Sequence, residues 1–294
     1  MWRDSMEMNA PKRISAVREL IILLRQSFRV LLYNKTNFLI SLLFPFAATS
    51  ITVWIAGKDM FVNMESTKSA SFILVCAAIW GGLFNSIQTI VRERKSIRRD
   101  YTSGALRIGC YILSRACIQL ILCAFQSAVL TLSLYGVQQF YGNKIPETPL
   151  VLNSITSEYY ISLFLIVFAA DTMGLCISSF VKNEQLASQL APYILIVQLL
   201  FSGVLFAMEG FATNVSSLML SRWGMEALGS ISNLNALPLY LQSMFPTIPH
   251  EIDNSFLYTP EHLQKVWFVL IVFSVVPLVI AYILLRNVKK DTRG

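Results

Sequence analysis

Charged side chains in this chain are gathered into a few short clusters, and between the clusters run stretches of about 20 residues that carry almost none. A charge at the centre of a bilayer costs at least about 2.5 kcal/mol. A helix needs roughly 20 apolar residues to cross. This segregation therefore restricts the chain to helices solvated by lipid. The composition agrees: 55% of residues are hydrophobic and 14% charged, where a soluble domain carries about 25% charged residues.

The apolar runs predict six spans, at about Phe38 to Ala56, Ser69 to Val91, Ile108 to Tyr135, Tyr159 to Val181, Leu186 to Met208 and Lys265 to Leu285. Pro45 lies inside the first, which membrane helices tolerate. The Gly81-Gly82 pair in the second allows either close helix packing or a bend. Ahead of the spans, Val17, Leu20, Ile21, Leu24, Phe28 and Leu31 recur at three- and four-residue steps, with Arg18, Arg25 and Arg29 on another face. That pattern is a basic amphipathic helix, lying on the membrane surface or packed against a soluble partner. Residues 209–263 contain no full span. Their apolar patches, broken by Gly229, Pro238, Pro246 and Pro249, predict short re-entrant or extracellular helices, because a structureless loop of that length is unusual. The expected fold is thus an all-α membrane protein with six transmembrane helices and an N-terminal amphipathic interfacial helix. Residues 1–36 form the cytoplasmic N-terminal segment and 37–290 the transmembrane domain.

Orientation follows from the basic residues. They crowd the N-terminal segment, the loop after the second span (Arg92, Arg94, Lys95, Arg98, Arg99, Arg107) and the tail (Arg286, Lys289, Lys290, Arg293). The long segment after the fifth span carries Glu209, Glu226, Glu251, Asp253 and Glu261 against Arg222. With six spans every basic segment falls on one side, and the positive-inside rule puts both termini in the cytoplasm of a cell membrane. The net charge of +7 then reports orientation and anionic lipid rather than nucleic acid.

The sequence offers no chemistry of its own. It contains no phosphate-binding loop G-x-x-x-x-G-K-[ST], no G-x-S-x-G elbow and no H-E-x-x-H. Cys76, Cys110, Cys117, Cys123 and Cys176 all fall in or beside spans, without zinc spacing, so neither a disulfide nor a metal site is expected. His250 and His262 have no ligand partners spaced around them. Asn214-Val215-Ser216 fits the glycosylation sequon, which matters only in a eukaryotic secretory pathway; a bacterial source is expected.

The cluster after the second span is the most informative segment. Arg92-Glu93-Arg94-Lys95 continues the second helix, and Ser103-Gly104 supplies a stop. A short amphipathic helix there is either a docking elbow for a soluble partner or a positive-inside anchor. Two ionisable residues lie inside spans, Arg115 and Asp171. They either pair with each other, or Arg115 snorkels to the interface while Asp171 bonds locally. Glu209 at the outer end of the fifth span marks either the water interface or an exit gate.

The stretch Val91-Arg92-Glu93-Arg94 to Asp100-Tyr101-Thr102-Ser103-Gly104, followed by Tyr111-Ile112-Leu113-Ser114-Arg115, resembles the connection between spans two and three in type-2 (ABC-2) ABC exporter permeases, notably class-G half-transporters and their bacterial relatives. Gln26 to Phe46 resembles the connecting helix and first span. Met173 to Ser179 and Phe201 to Phe206 resemble the fourth and fifth spans, and Ser221 to Leu228 the segment after the fifth. The resemblance covers about residues 15 to 290. It implies a coupling helix at about 93–104, with Arg92, Glu93, Arg94, Lys95, Arg98, Arg99 and Gly104 forming the ATPase-docking region. It also implies a second permease copy, a homodimer, and a separate ABC ATPase that binds ATP and Mg. This chain itself would bind no cofactor and carry out no catalysis. Two departures stand out: class-G half-transporters carry the ATPase fused ahead of the membrane domain, and some carry exterior cysteines that this sequence lacks. Two other function classes stay open. One is an ion-gradient-driven secondary transporter with Asp171 as proton carrier, which one central carboxylate without an internal repeat matches poorly. The other is a non-transporting membrane scaffold or sensor.

Overall fold

A computed structural model of the chain describes residues 14–33, scattered positions between 39 and 54, 59–142, 146, 148–206, 208–239 and 252–286. Within these, all regular structure is helical. In chain order the helices are α1 (Ala16–Tyr33), α2 (Met64–Ser86), α3 (Thr89–Thr102), α4 (Ile108–Tyr141), α5 (Ile155–Phe180), α6 (Glu184–Leu200), α7 (Phe211–Ser216), α8 (Leu220–Ile231) and α9 (Pro260–Arg286), with single 3₁₀ turns at Leu234–Ala236 and Asn254–Phe256.

Four helical rods among the described residues are long and apolar enough to cross a membrane: Met64–Thr102, Ile108–Gly136, Ile155–Phe180 and Pro260–Arg286. The expected first span lies mostly outside the described residues, as do the basic residues Arg3, Lys12 and Arg13 of the N-terminal segment and Lys289, Lys290 and Arg293 of the tail. The expected fifth span is shorter than its hydropathy suggested. α6 has 17 residues, the lower limit for a crossing, and the chain leaves helical geometry from Phe201. Gly203 adopts φ +77°, and the Ser202 and Ser216 hydroxyls take the Leu199 and Phe201 carbonyls at the helix end. Hydropathy cannot register this stop, because the residues beyond it are still apolar.

The last span begins five residues earlier than its apolar run. Pro260 opens α9 at the first helical position, where its missing N–H costs nothing. The Thr259 hydroxyl before it accepts the His262 amide at 3.3 Å. His262 therefore belongs to a helix and not to a loop.

α5 is the hub of the bundle, packed against α2, α3, α4, α8 and α9. Its Leu163, Ile166, Val167 and Ala170 are buried in the main core with Leu74, Val75, Ala78 and Leu83 of α2. The α2–α5 crossing is close because its partners are small. A Cβ on Gly82 would collide with the Val167 carbonyl and come within 2.9 Å of the Ala170 methyl, and one on Gly174 would strike the Ser86 hydroxyl and the Leu83 carbonyl. Without a hydrophobic drive between helices in lipid, such close van der Waals approach holds the pair together. Of the two sequence options for the Gly81-Gly82 pair, Gly82 serves packing. α9 is the most outward rod. It turns Ala281 and Leu285 inward and exposes Phe268, Ile271, Val275, Val279 and Ile283, the side that lipid would cover.

Residues 209–239 do not run as a loop. α8 packs on α2, α5 and α9, and Gly224 lets it approach within 2.9 Å of a Val75 methyl, measured from the position a Cβ would take. Gly229, expected to break this segment, lies inside α8. The ring of Phe256 occupies the space of its missing side chain.

Candidate functional site

The elbow between α2 and α4 gathers most of the residues singled out from sequence. α2 continues into α3 as one rod, Met64–Thr102, with a break in its hydrogen-bond ladder at the joint. Ile87 and Gln88 keep near-helical dihedrals, but the amides of Ile90 and Val91 turn away from the carbonyls four residues back. Both donate instead to the Ser178 hydroxyl of α5, at 2.9 and 3.0 Å. The Ser178 hydroxyl is thus a foreign acceptor inserted into the i→i−4 ladder at the α2–α3 joint.

α3 is amphipathic. Ile90, Val91, Arg94 and Ile97 are buried. Ile90 and Ile97 pack with Ile108, Tyr111 and Ile112 of α4, Leu175 of α5, and Ala281 and Leu285 of α9. Arg92, Lys95, Ser96, Arg99 and Thr102, at three- and four-residue steps, are exposed along the opposite face. Arg98 is half-buried beside them. The helix ends where Ser103-Gly104 predicted. Gly104 takes φ +77°, a left-handed value that only glycine adopts without strain, and the Asp100 carbonyl accepts the amides of Ala105 and Leu106 at 2.9 and 3.0 Å.

Several polar residues of α3 are anchored to neighbouring helices. Arg94 donates to the Ser179 carbonyl at the end of α5. Arg92 bonds Glu184 at the start of α6 at 3.1 Å and Gln88 at 2.7 Å. Gln88 donates to Ser188 of α6 at 2.5 Å. Glu93 turns toward α4, accepting from the Tyr111 hydroxyl at 2.7 Å and from the Arg115 guanidinium. Arg115 also lies over the Tyr111 ring, 5.4 Å from its centroid, a cation–π contact. Arg99 pairs with its neighbour Asp100 at 3.0 Å.

These contacts decide between the sequence alternatives for the intramembrane charges. Arg115 does not pair with Asp171. It reaches along α4 to Glu93, so the basic residue belongs to the elbow. Asp171 is fully buried in α5, and neither carboxylate oxygen has a hydrogen-bond partner among the described residues. Its backbone carbonyl accepts from the Ser86 hydroxyl. Glu209 is exposed before Gly210 and α7, remote in sequence from the elbow, and its carbonyl accepts the Ala212 amide at 3.2 Å.

The structure adds three residues that pattern reading passed over. Ser178 lies in the Met173 to Ser179 stretch, where the pattern assigns it no role, and Glu184 carries no motif signal; what makes both matter is the proximity of α3. Glu19 of α1 is the third. Its carboxylate accepts the Arg107 amide at 2.6 Å and lies 3.6 Å from the Arg107 guanidinium, which also donates to the Ile14 carbonyl at 3.2 Å. The amphipathic helix is thereby fastened to the elbow where α4 begins.

A second polar cluster lies around α8. Arg222 bonds Glu226 at 2.9 Å and the Thr213 carbonyl at 3.1 Å, and His262 stands 4.0 Å from the same carboxylate. Burial raises the Glu226 pKa above its ordinary value, opposed by the Arg222 hydrogen bond and charge and by His262 and Lys265. Ser216 of the Asn214-Val215-Ser216 triplet is buried, its hydroxyl donated to the Phe201 carbonyl at 2.8 Å.

A family model described as ABC-2 type transporter matches residues 18–232. The chain is also similar to an ABC transporter ATP-binding/permease protein of Mycobacterium tuberculosis, at 22% identity over 238 residues, which cover 78% of this chain and 27% of that protein. The chain thus spans about a quarter of the length of this curated relative.

Proposed function

Because the chain belongs to the ABC-2 type transporter family, whose membrane domain is a transmembrane permease and not itself a catalyst, we propose that it is the permease of an ATP-driven exporter, working as a dimer by alternating access. An ABC ATPase binds ATP and Mg and docks on the exposed face of α3 and on α1. The basic end of the bundle faces the cytoplasm of a cell membrane. Residues 209–263 lie on the exterior, and a second copy of the chain completes the pathway.

One observation carries this reading. α3 is a polar-faced helix attached to the ends of α5 and α6 through Ser178, Ser179 and Glu184, and through Arg115 to α4. A force applied to α3 is therefore delivered to three helices at once. A plain positive-inside anchor needs charge at the interface but none of these attachments. ATP-driven closure of two ATPase domains would move α3 and bias the bundle between two packed states.

The test is to replace Arg92, Lys95 and Arg99 together by alanine, leaving the buried Arg94 and Ile97 in place. ATP hydrolysis by the assembled complex should lose its coupling to transport while membrane insertion and yield are kept. Coupled transport at the wild-type rate would remove α3 as the docking element. A carrier that uses Asp171 instead would transport without an ATPase, so D171N measured in the same assay separates the two.

A further inference from the structure

A cavity of about 870 Å³ opens at the basic end of the bundle, between the first turns of α1, the Thr102–Gly104 turn, the start of α4 and the end of α9. It adjoins the α3 docking face through Thr102 and Gly104, but its lining includes none of Arg92, Lys95 and Arg99. Its walls divide by chemistry. Ser103, Arg107 and Arg286 supply hydroxyl and guanidinium groups, while Val17, Leu113 and Tyr282 supply apolar surface. Val17 and Leu113 are 68% and 51% exposed, so the apolar wall is continuous with the lipid-facing side of the bundle. The charges are unequal in their commitments. Arg107 is held by Glu19, and that carboxylate is spent on it. Arg286 is exposed and has no partner among the described residues.

We propose that this cavity binds an anionic phospholipid of the basic-side leaflet, its phosphate between Arg286 and Arg107 and its acyl chains along Leu113, Tyr282 and Val17. The shape of the site requires both halves. A free anion would satisfy the arginines and leave the apolar wall in water. A zwitterionic lipid would fill the wall and offer a phosphate, but its own ammonium would bring a further positive charge beside the two arginines. Basic pockets between membrane helices on the cytoplasmic side are suited to anionic headgroups for these reasons. The bound lipid would sit where α1 meets the elbow, and so would brace the region assigned above to ATPase docking. The choice of leaflet rests on the orientation in that assignment; the binding itself does not.

Native mass spectrometry of the detergent-purified chain tests the site, because micelles have no sides. The probes are phosphatidylglycerol, phosphatidylcholine with the same acyl chains, and inorganic phosphate. Phosphatidylglycerol should be retained about tenfold more strongly than phosphatidylcholine, and millimolar phosphate should not displace it. R286Q, which removes a side chain with no polar partner among the described residues, should weaken phosphatidylglycerol about fivefold, the factor that one basic side chain near an anionic surface carries, and leave phosphatidylcholine unchanged. R107Q should do the same while also loosening α1. Equal retention of the two lipids, indifference to R286Q, or displacement by phosphate would each overturn the proposal. Labelling of Lys95 from outside intact cells would overturn the orientation alone.

Discussion

Ser178 offers a small hydroxyl to two amides of another helix, satisfying the break in the ladder at the α2–α3 joint. S178A should remove the acceptor and cost about 1 kcal/mol, the usual scale for losing a helix cap. Thermal unfolding in detergent should fall accordingly, and S178T, which keeps the hydroxyl, should recover most of it. Glu93 is a second sensitive position. E93A leaves the Arg115 guanidinium, which is 18% exposed, without its carboxylate. Breaking a partly buried pair in this way should cost about 2 kcal/mol, whereas the double change E93A/R115M should cost less than the single one. At Glu226 the sign of a pH effect can be derived. Burial raises its folded-state pKa above the unfolded value. The folded protein therefore takes up the proton first as pH falls, and stability from this group grows as pH drops from the raised value toward the ordinary carboxylate range of about 4.3. E226Q should flatten that part of the stability profile in a pH-resolved denaturation series.

At the scale of elements, the α2–α5 crossing and the elbow depend on different physics. The crossing is steric. G82L should overpack it by about 3 kcal/mol or prevent assembly, and G82A should lie between wild type and leucine, as read from yield and unfolding temperature. The elbow is polar, and its exposed stripe of Arg92, Lys95 and Arg99 contributes little to stability, since exposed ion pairs are worth about 0–1 kcal/mol. Replacing the stripe should leave unfolding within that range while abolishing coupling. The amphipathic period of α3 and its Gly104 stop were legible in the sequence, because each depends on residues close in the chain. The break in the ladder at Ile90 and Val91 was not, since its acceptor lies some 90 residues away in α5. The short α6 was misjudged for a related reason. Apolar residues continue past Phe201, and only Gly203 and two serine hydroxyls end the helix.

For the whole molecule, the arrangement is a hub helix, α5, with α2, α4, α8 and α9 around it and α3 clasped at one end. Exposed apolar side chains are abundant on α9, which suits a surface that meets lipid. If the basic end faces the cytoplasm, single cysteines placed at Lys95 and at Glu209 in a background without the native thiols should label from opposite sides of the membrane. Labelling from one side would refute the proposed topology.

The sequence by itself determined that this is a helical membrane protein, because the cost of charge in hydrocarbon acts on each residue wherever the chain goes. It also placed the elbow, because helix period and glycine stops are local. Only the tertiary structure decided that Arg115 answers Glu93 and not Asp171, that Ser178 takes two amides at the α2–α3 joint, and that Glu19 ties α1 to the elbow. A hydrogen bond acts over about 3 Å, and residues far apart in the chain acquire such separations only after the helices have packed.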